Sequence, residues 1–279
     1  MNVDKIYVNT YKGDNHWCHI CVASIRFWYP NIQITLIKDL NLGDFDTYLI
    51  EKTYNVNVFE TNDTFGWGYG KLEPLFLEKK ESFLVLDSDT VIVGDILSLV
   101  QDITADFIVD NEMQTNSRFN EIYYDKVLVK NITSSFEPLD FSFNSGQWFG
   151  TSGIISRSEF DSTIEWTCPR KNKYPEILKN GEQGHMNYHF HRLLQFNKIR
   201  VQRLNIMKYP LSADYSKVKI NFLKNKNSSQ KAIVHWAGIK KSLAFMPNKS
   251  VLFFYLNELR KKTNFFVFIK LSFKLLFSR

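Results

Sequence analysis

Residues 83–96 read FLVLDSDTVIVGDI: four apolar residues, Phe83 to Leu86, run straight into Asp87-Ser88-Asp89, and the chain turns apolar again from Val91 to Val93. Carboxylates are costly to bury unless they are paired or hold a metal. A strand this apolar must therefore deliver its two acids to an open end. Spacing alone carries little weight. A second Asp-x-Asp, Asp44-Phe45-Asp46, follows Gly43 and precedes a short mixed segment, as a turn or a helix start would.

The surrounding segments supply the context. KIYVNT (5–10) reads as a buried strand. Residues 14–28 read as a helix, with Trp17, Ile20, Cys21, Ser24, Ile25 and Trp28 at helical spacing and Pro30 as the stop. QITLIKD (33–39) and YNVNVFE (54–60) read as the second and third strands, and 71–80 as a helix before FLVLDSD. Alternating strands and helices predict an α/β fold, a mostly parallel central sheet flanked by helices. In such sheets ligands bind beyond the carboxyl ends of the strands, where FLVLDSD places its acids and the Asp44 copy, with no such strand behind it, does not. Two carboxylates at that edge are hard oxygen ligands suited to Mg2+ or Mn2+. One can bind an ion directly and the other through water. Capping acids for the following turn are the alternative.

The 279 residues suffice for one large α/β domain or two small ones, and 44% hydrophobic content is ample for a core. MNVDKIYVNTY enters a strand-like segment almost at once, which predicts no secretory leader. Cys18, Cys21 and Cys168 make an odd count without a disulfide framework, and no second pair completes a zinc site with Cys18-x-x-Cys21. Two thiols on a helix, in a reducing cytoplasm, fit that usage. The formal charge of +6 lies wholly in the last 21 residues, because residues 1–258 hold 29 basic and 29 acidic residues. Segment 259–279 carries Arg260, Lys261, Lys262, Lys270, Lys274 and Arg279, no acid, and Phe265, Phe266, Phe268, Phe273 and Phe277 among its apolar residues. Lys270 breaks it well short of the roughly 20 residues that span a bilayer. It suits the interface of an anionic membrane, or else a terminal helix packed on the body or a partner subunit. The neutral remainder argues against nucleic acid.

Four stretches, in family order, resemble glycosyltransferase family 8, a GT-A-fold family that includes glycogenin and bacterial lipooligosaccharide galactosyltransferases. Gly70-Lys71-Leu72 followed by FLVLDSDTVIVGDI resembles the family's Lys/Arg-Leu helix, strand and Asp-x-Asp. Phe143-Asn144-Ser145-Gly146 matches FNSG, Glu182-Gln183-Gly184-His185-Met186-Asn187 resembles DQGxLN, and 233–241, IVHWAGIKK, resembles the start of VHFxGxxKPW.

The resemblance implies a single GT-A (Rossmann-like) domain over 1–258 with a basic amphipathic helical tail over 259–279. It implies metal-dependent transfer of a hexose from a nucleoside diphosphate sugar, UDP-linked, to a glycan or glycolipid with retention of configuration. Asp87, Asp89 and His235 would hold Mn2+ or Mg2+. Without the match, His235 reads as structural and Lys71 as a solvated lysine. With it, Lys71 and Ser88 approach the donor. Val8, Asn9, Thr10 and Tyr11 would face nucleobase and ribose, with a plain turn as the alternative. Asn144, Ser145 and Gly146 would lie under the sugar, Gln183 near the anomeric carbon, and Gly238 with Lys240 or Lys241 at the diphosphate.

Three departures stand out. The family's KPW is KSL here, which leaves Lys240 and Lys241 both open as the phosphate ligand. Glu182 replaces Asp. QWFGTSGIIS (147–156) is glycine-rich, with Trp148 and Phe149 either stacking on a sugar or filling core. An inverting enzyme with Glu182 or Asp140 as base is a rival reading, as is a non-catalytic sugar-nucleotide or membrane-binding module. A nucleotidyltransferase fits poorly, because YKGDNHW (11–17) is not a glycine-rich basic loop. The tail adds an expectation of a peripheral protein on the inner face of the cell membrane, working on cell-surface polysaccharide.

Overall fold

Phe83, Leu84, Val85 and Leu86 are all fully buried, so their strand needs cover on both faces, and the rest of the chain supplies it. The computed structural model describes residues 1–61, 63–66, 68–211, 223, 226, 230–239, 245–263, 268–269 and 272–273. In chain order come β1 (Lys5–Tyr11), α1 (Asn15–Trp28), β2 (Gln33–Asp39), α2 (Tyr48–Tyr54), β3 (Asn57–Val58), β4 (Ser82–Asp87) and β5 (Thr90–Val93). There follow β6 (Phe107–Asp110), α3 (Asn116–Ile122), β7 (Gln147–Thr151), the short pair β8 (Ile164–Glu165) and β9 (Lys171–Asn172), and α4 (Glu182–Gln195). β10 (Val201–Leu204), β11 (Met207–Lys208), β12 (Ala232–His235) and α5 (Lys249–Arg260) complete the described elements.

Seven strands form one sheet in the order β10-β6-β7-β4-β1-β2-β3. β7 runs antiparallel to both β4 and β6, and the other pairings are parallel. Side-chain alternation divides the core into two layers. Leu84, Leu86 and Phe149 face α1, α5 and a second sheet, β11-β12-β5, among Ile20, Ile25, Ile233 and Leu252. Phe83, Val85 and Trp148 face α4 and the 3₁₀ turns before β4, among Leu72, Leu75, Met186 and Phe190. Each such apolar side chain, fully buried, contributes about 1.5–3 kcal/mol. The link between the two sheets on this path is only Ser88-Asp89, since β4 ends at Asp87 and β5 begins at Thr90. The acid pair therefore sits where the chain crosses from one sheet to the other.

Four expectations change. The segment read as a helix over 71–80 is 3₁₀ turns over Tyr69–Phe76 with Pro74 inside; proline has no N–H for an α-helical bond and clashes with the preceding turn. Of 54–60 only Asn57–Val58 pairs as a strand. Tyr54 instead ends α2, where Ile50 and Tyr54, four apart, are its buried residues and Asn55 closes it in the left-handed conformation (φ 49°). Trp148 and Phe149 are both fully buried in the two core layers, so neither stacks on a sugar. The boundary placed after residue 258 falls within α5, whose Leu259 is fully buried. Most of the 259–279 tail lies outside the described residues. Among the described residues no helix is long and apolar enough to cross a membrane.

Candidate active site

Backbone bonds tie Asp87-Ser88-Asp89 to three separate strand ends. Asp87 N–H donates to the Gly146 carbonyl (2.8 Å), Ser88 N–H to that of Asn9 (3.1 Å), and Trp236 N–H to that of Asp89 (3.1 Å). β12 runs antiparallel to β5 with His235 opposite Thr90, which carries the imidazole over the edge of the main sheet. His235 Nε2 lies 3.1 Å from Asp89 Oδ1 and 3.9 Å from Asp87 Oδ2. One ligand atom from each of Asp87, Asp89 and His235 falls within 4.8 Å of the others. Burial opposes a charged imidazole, but the Asp89 and Asp87 carboxylates outweigh it and hold His235 above the ordinary histidine value. Burial likewise opposes a charged Asp89, and His235 reverses the balance and holds it low.

Gly146 makes this approach possible. An ideal Cβ there would stand 2.2 Å from His235 Cε1 and 2.8 Å from Asp87 Oδ2, so a side chain at 146 would fill the space that the imidazole uses. Two carboxylates and one imidazole, gathered around a cradle a methyl would close, suit a hard divalent ion that takes its remaining ligands from water or phosphate oxygens. The residues fit the group.

Lys71 is no solvated lysine. It is 4% exposed, with Nζ 3.0 Å from Asp87 Oδ1, 2.5 Å from Glu182 Oε1 and 3.4 Å from Ser145 Oγ. Burial alone would lower its pKa, but Asp87 and Glu182 together raise it, so the ammonium stays charged. Glu182 also accepts from Ser145 Oγ (2.8 Å). Burial and the charge of Asp87 raise its pKa against the pull of Lys71. Gly68, at φ 78°, lets the 3₁₀ turn close over that carboxylate, which a Cβ would meet at 2.4 Å. Gly184 is demanded similarly at the start of α4, where a Cβ would meet the carbonyls of Tyr123 and Lys179, each at 2.4 Å. Gln183, half-buried, accepts from Ser145 N–H at 3.3 Å.

The other candidates divide. Asn9 is buried opposite Asp87, and its Oδ1 has no protein partner. Tyr11 is partly exposed, its hydroxyl pKa raised by burial and by Asp14, Asp89 and Asp87. Val8 is core, and Thr10 is buried against Cys18, so neither side chain is open at the edge. Ser88 is buried, and Gly238 takes φ 70° with open space around it. Lys240 and Lys241 lie outside the described residues. Asp140 is exposed, and its charge acts on Tyr124, in the cluster that joins α3 to α4. Cys18 and Cys21 are buried thiols on α1, and burial pushes Cys18 up to about 12. In the second Asp-x-Asp, Asp46 accepts from Tyr48 N–H at the entry to α2 and Asp44 pairs with Lys38 at 2.6 Å, as a turn acid would.

One group has no mark in the sequence. Asn144 Nδ2 donates to Tyr209 Oη (3.4 Å), Tyr209 donates to Glu112 (3.0 Å), and Tyr123 and Gln114 bond the same carboxylate. Glu112 and Tyr209 are 97 residues apart, and no local spacing links them.

The architecture is that of the GT-A glycosyltransferases. The bifunctional glycosyltransferase WbbM aligns with 98% of this chain at a TM-score of 0.63 and 13% identity, and this chain spans 52% of it, about half its length. The galactosyltransferase LgtC, solved with donor and acceptor sugar analogs, aligns over 93% of this chain and 96% of its own at a TM-score of 0.59 and 11% identity. No protein-family model and no curated protein sequence matches the chain. At such identities the likeness establishes the fold, and the chemistry must be read from the residues.

Proposed function

We propose that this protein is a metal-dependent hexosyltransferase. It takes a hexose from a nucleoside diphosphate sugar, UDP-linked, and passes it to a glycan or lipid-linked acceptor with retention of configuration. The observation that carries the reading is the convergence of Asp87, Asp89 and His235 within 4.8 Å at the carboxyl edge, with a buried charged lysine alongside. A divalent ion, Mn2+ or Mg2+, held by those three residues would neutralise charge on the departing diphosphate. Glycosyl transfer passes through an oxocarbenium-like state, so negative charge builds on the phosphate and positive charge on the ring. Lys71 adds fixed positive charge toward the phosphate side, with Gly238 and Lys240 or Lys241 as further phosphate contacts. Gln183, held through Ser145, places a neutral amide carbonyl beside the ring, while Asn144 and Ser145 orient sugar hydroxyls. Asn9 and Tyr11 meet the nucleoside. On this route the leaving phosphate oxygen takes the acceptor's proton on the same face, and no carboxylate base is required.

The inverting alternative is disfavoured by the surroundings of its two bases. Glu182 is committed to Lys71 and Ser145, and Asp140 is exposed beside a different cluster. The basic aromatic tail supports peripheral attachment to the anionic inner face of the cell membrane and a role in cell-surface polysaccharide assembly. Screening nucleotide sugars for Mn2+-dependent hydrolysis tests the reading. Turnover that survives both Asp87→Asn and Asp89→Asn would refute it, and inversion at the anomeric proton in early product, seen by NMR, would refute retention.

A further inference from the structure

Only one ring nitrogen of His235 is accounted for. Nε2 faces Asp89 at 3.1 Å, whereas Nδ1 is buried without a protein partner. The imidazole Cε1 rests against the backbone at Gly146. The next residue, Gln147, is fully buried, and neither its Oε1 nor its Nε2 has a protein partner. A buried amide with both ends unmade is costly, and an apolar residue of similar size would be cheaper there. Strand alternation gives its direction. Trp148 faces the α4 layer and Phe149 the α1 layer, so Gln147, two before Phe149 and paired with Leu86, faces the α1 layer. β12, the strand that carries His235, lies in that same layer. Two buried polar groups without protein partners thus share one layer, and Gln147 is next in sequence to the glycine that His235 Cε1 approaches.

A histidine that ligates a metal through Nε2 needs its proton on Nδ1, and an outer acceptor for that N–H sets the tautomer and the ring orientation. We infer that Gln147 is the positioning residue for His235: its Oε1 accepts the Nδ1–H, directly or through one buried water, and leaves the Nε2 lone pair for the metal. This rests on the metal reading of the site. It also explains why a glutamine stands where the surrounding layer calls for an aliphatic residue.

Titration calorimetry with Mn2+ on the full chain, alongside thermal melts in chelator, tests it. Gln147→Leu should bind Mn2+ about 10–100-fold more weakly yet melt in chelator at or above the wild-type temperature, because an unpartnered amide has gone. Gln147→Glu, which keeps an acceptor, should stay within a few-fold of wild type. Unchanged affinity in Gln147→Leu would overturn the inference while leaving the metal site standing. Failure of the wild type to bind Mn2+ would overturn the metal reading and this inference with it. If Gln147→Leu does not fold, long-range 15N–1H spectra of the wild type with Mg2+ decide the point, with His235 assigned by its loss in His235→Gln. A proton on Nδ1 is expected, and one on Nε2 would overturn the proposal.

Discussion

Gly146→Ala is the sharpest test of the site, because it adds one methyl and leaves the identity of every candidate metal ligand unchanged. The backbone at 146 is not left-handed, so alanine is conformationally allowed and any effect is steric. The new Cβ would lie 2.2 Å from His235 Cε1, where ordinary contact begins at 3.4 Å, so the imidazole must retreat by about 1.2 Å. The ring has little freedom, being 4% exposed and held at 3.1 Å from Asp89. Metal ligand distances tolerate errors of only about 0.2 Å, so the third ligand is lost. Disturbing the orientation of a metal-ligating imidazole costs about 10–100-fold in metal affinity, or about 1.4–3 kcal/mol of binding free energy at 1.4 kcal/mol per tenfold. Overpacking should also lower stability by about 1–3 kcal/mol. Calorimetry with Mn2+ measures the first effect and urea unfolding in chelator the second. The decisive comparison is the double variant. With His235→Ala in place the closest clash is gone and only the approaches to Asp87 Oδ2 and Asn144 Oδ1 at 2.8 Å remain, so adding Gly146→Ala should cost less than it does in the wild type. Mn2+ affinity within threefold of wild type in Gly146→Ala, or strict additivity in the double variant, would refute this account.

Other outcomes follow from the same geometry. Lys71→Met strips the cation from between Asp87 and Glu182 and should destabilise by about 3–5 kcal/mol in urea titrations; adding Glu182→Gln should recover much of the loss. Burial holds His185 and His191 down to about 3 and His189 well below the ordinary histidine value. Folded pKa values below the unfolded 6.5 mean that the unfolded chain takes up protons first. Stability is therefore complete above pH 6.5 and declines as the pH falls toward 3, by about 1.4 kcal/mol per pH unit per histidine. At pH 5 His185 and His191 together should cost about 4 kcal/mol on that scale; urea midpoints that stay flat from pH 7 to 5 would contradict it. Removing residues 264–279, which spares the buried Leu259, should release the protein from anionic vesicles in sedimentation assays without loss of donor hydrolysis.

Much of this was legible in the sequence because burial patterns are local. The apolar runs of β1, β2 and β4 mark strands covered on both faces, and the helical spacing from Trp17 to Trp28 marks α1. An Asp-x-Asp behind such a strand must emerge at its carboxyl edge, and the same spacing at Asp44, with no strand behind it, serves a turn. The 3₁₀ turns and α2 were less legible, since Pro74 and the four-residue step from Ile50 to Tyr54 act over one or two turns inside segments of mixed pattern.

Local pattern names the set of polar residues that an α/β sheet carries to its ligand-binding edge. Tertiary structure alone decided what they meet there. Lys71 is a buried cation because α4 brings Glu182 beneath the same 3₁₀ turn that faces Asp87. His235 reaches Asp89 because β12 pairs with β5, and it fits because residue 146 has no side chain. Gln147 reads as one more strand residue until its layer is known. Strand order and close approach join Asp89 to His235 across 146 positions, and no local period in the chain encodes a contact at that range.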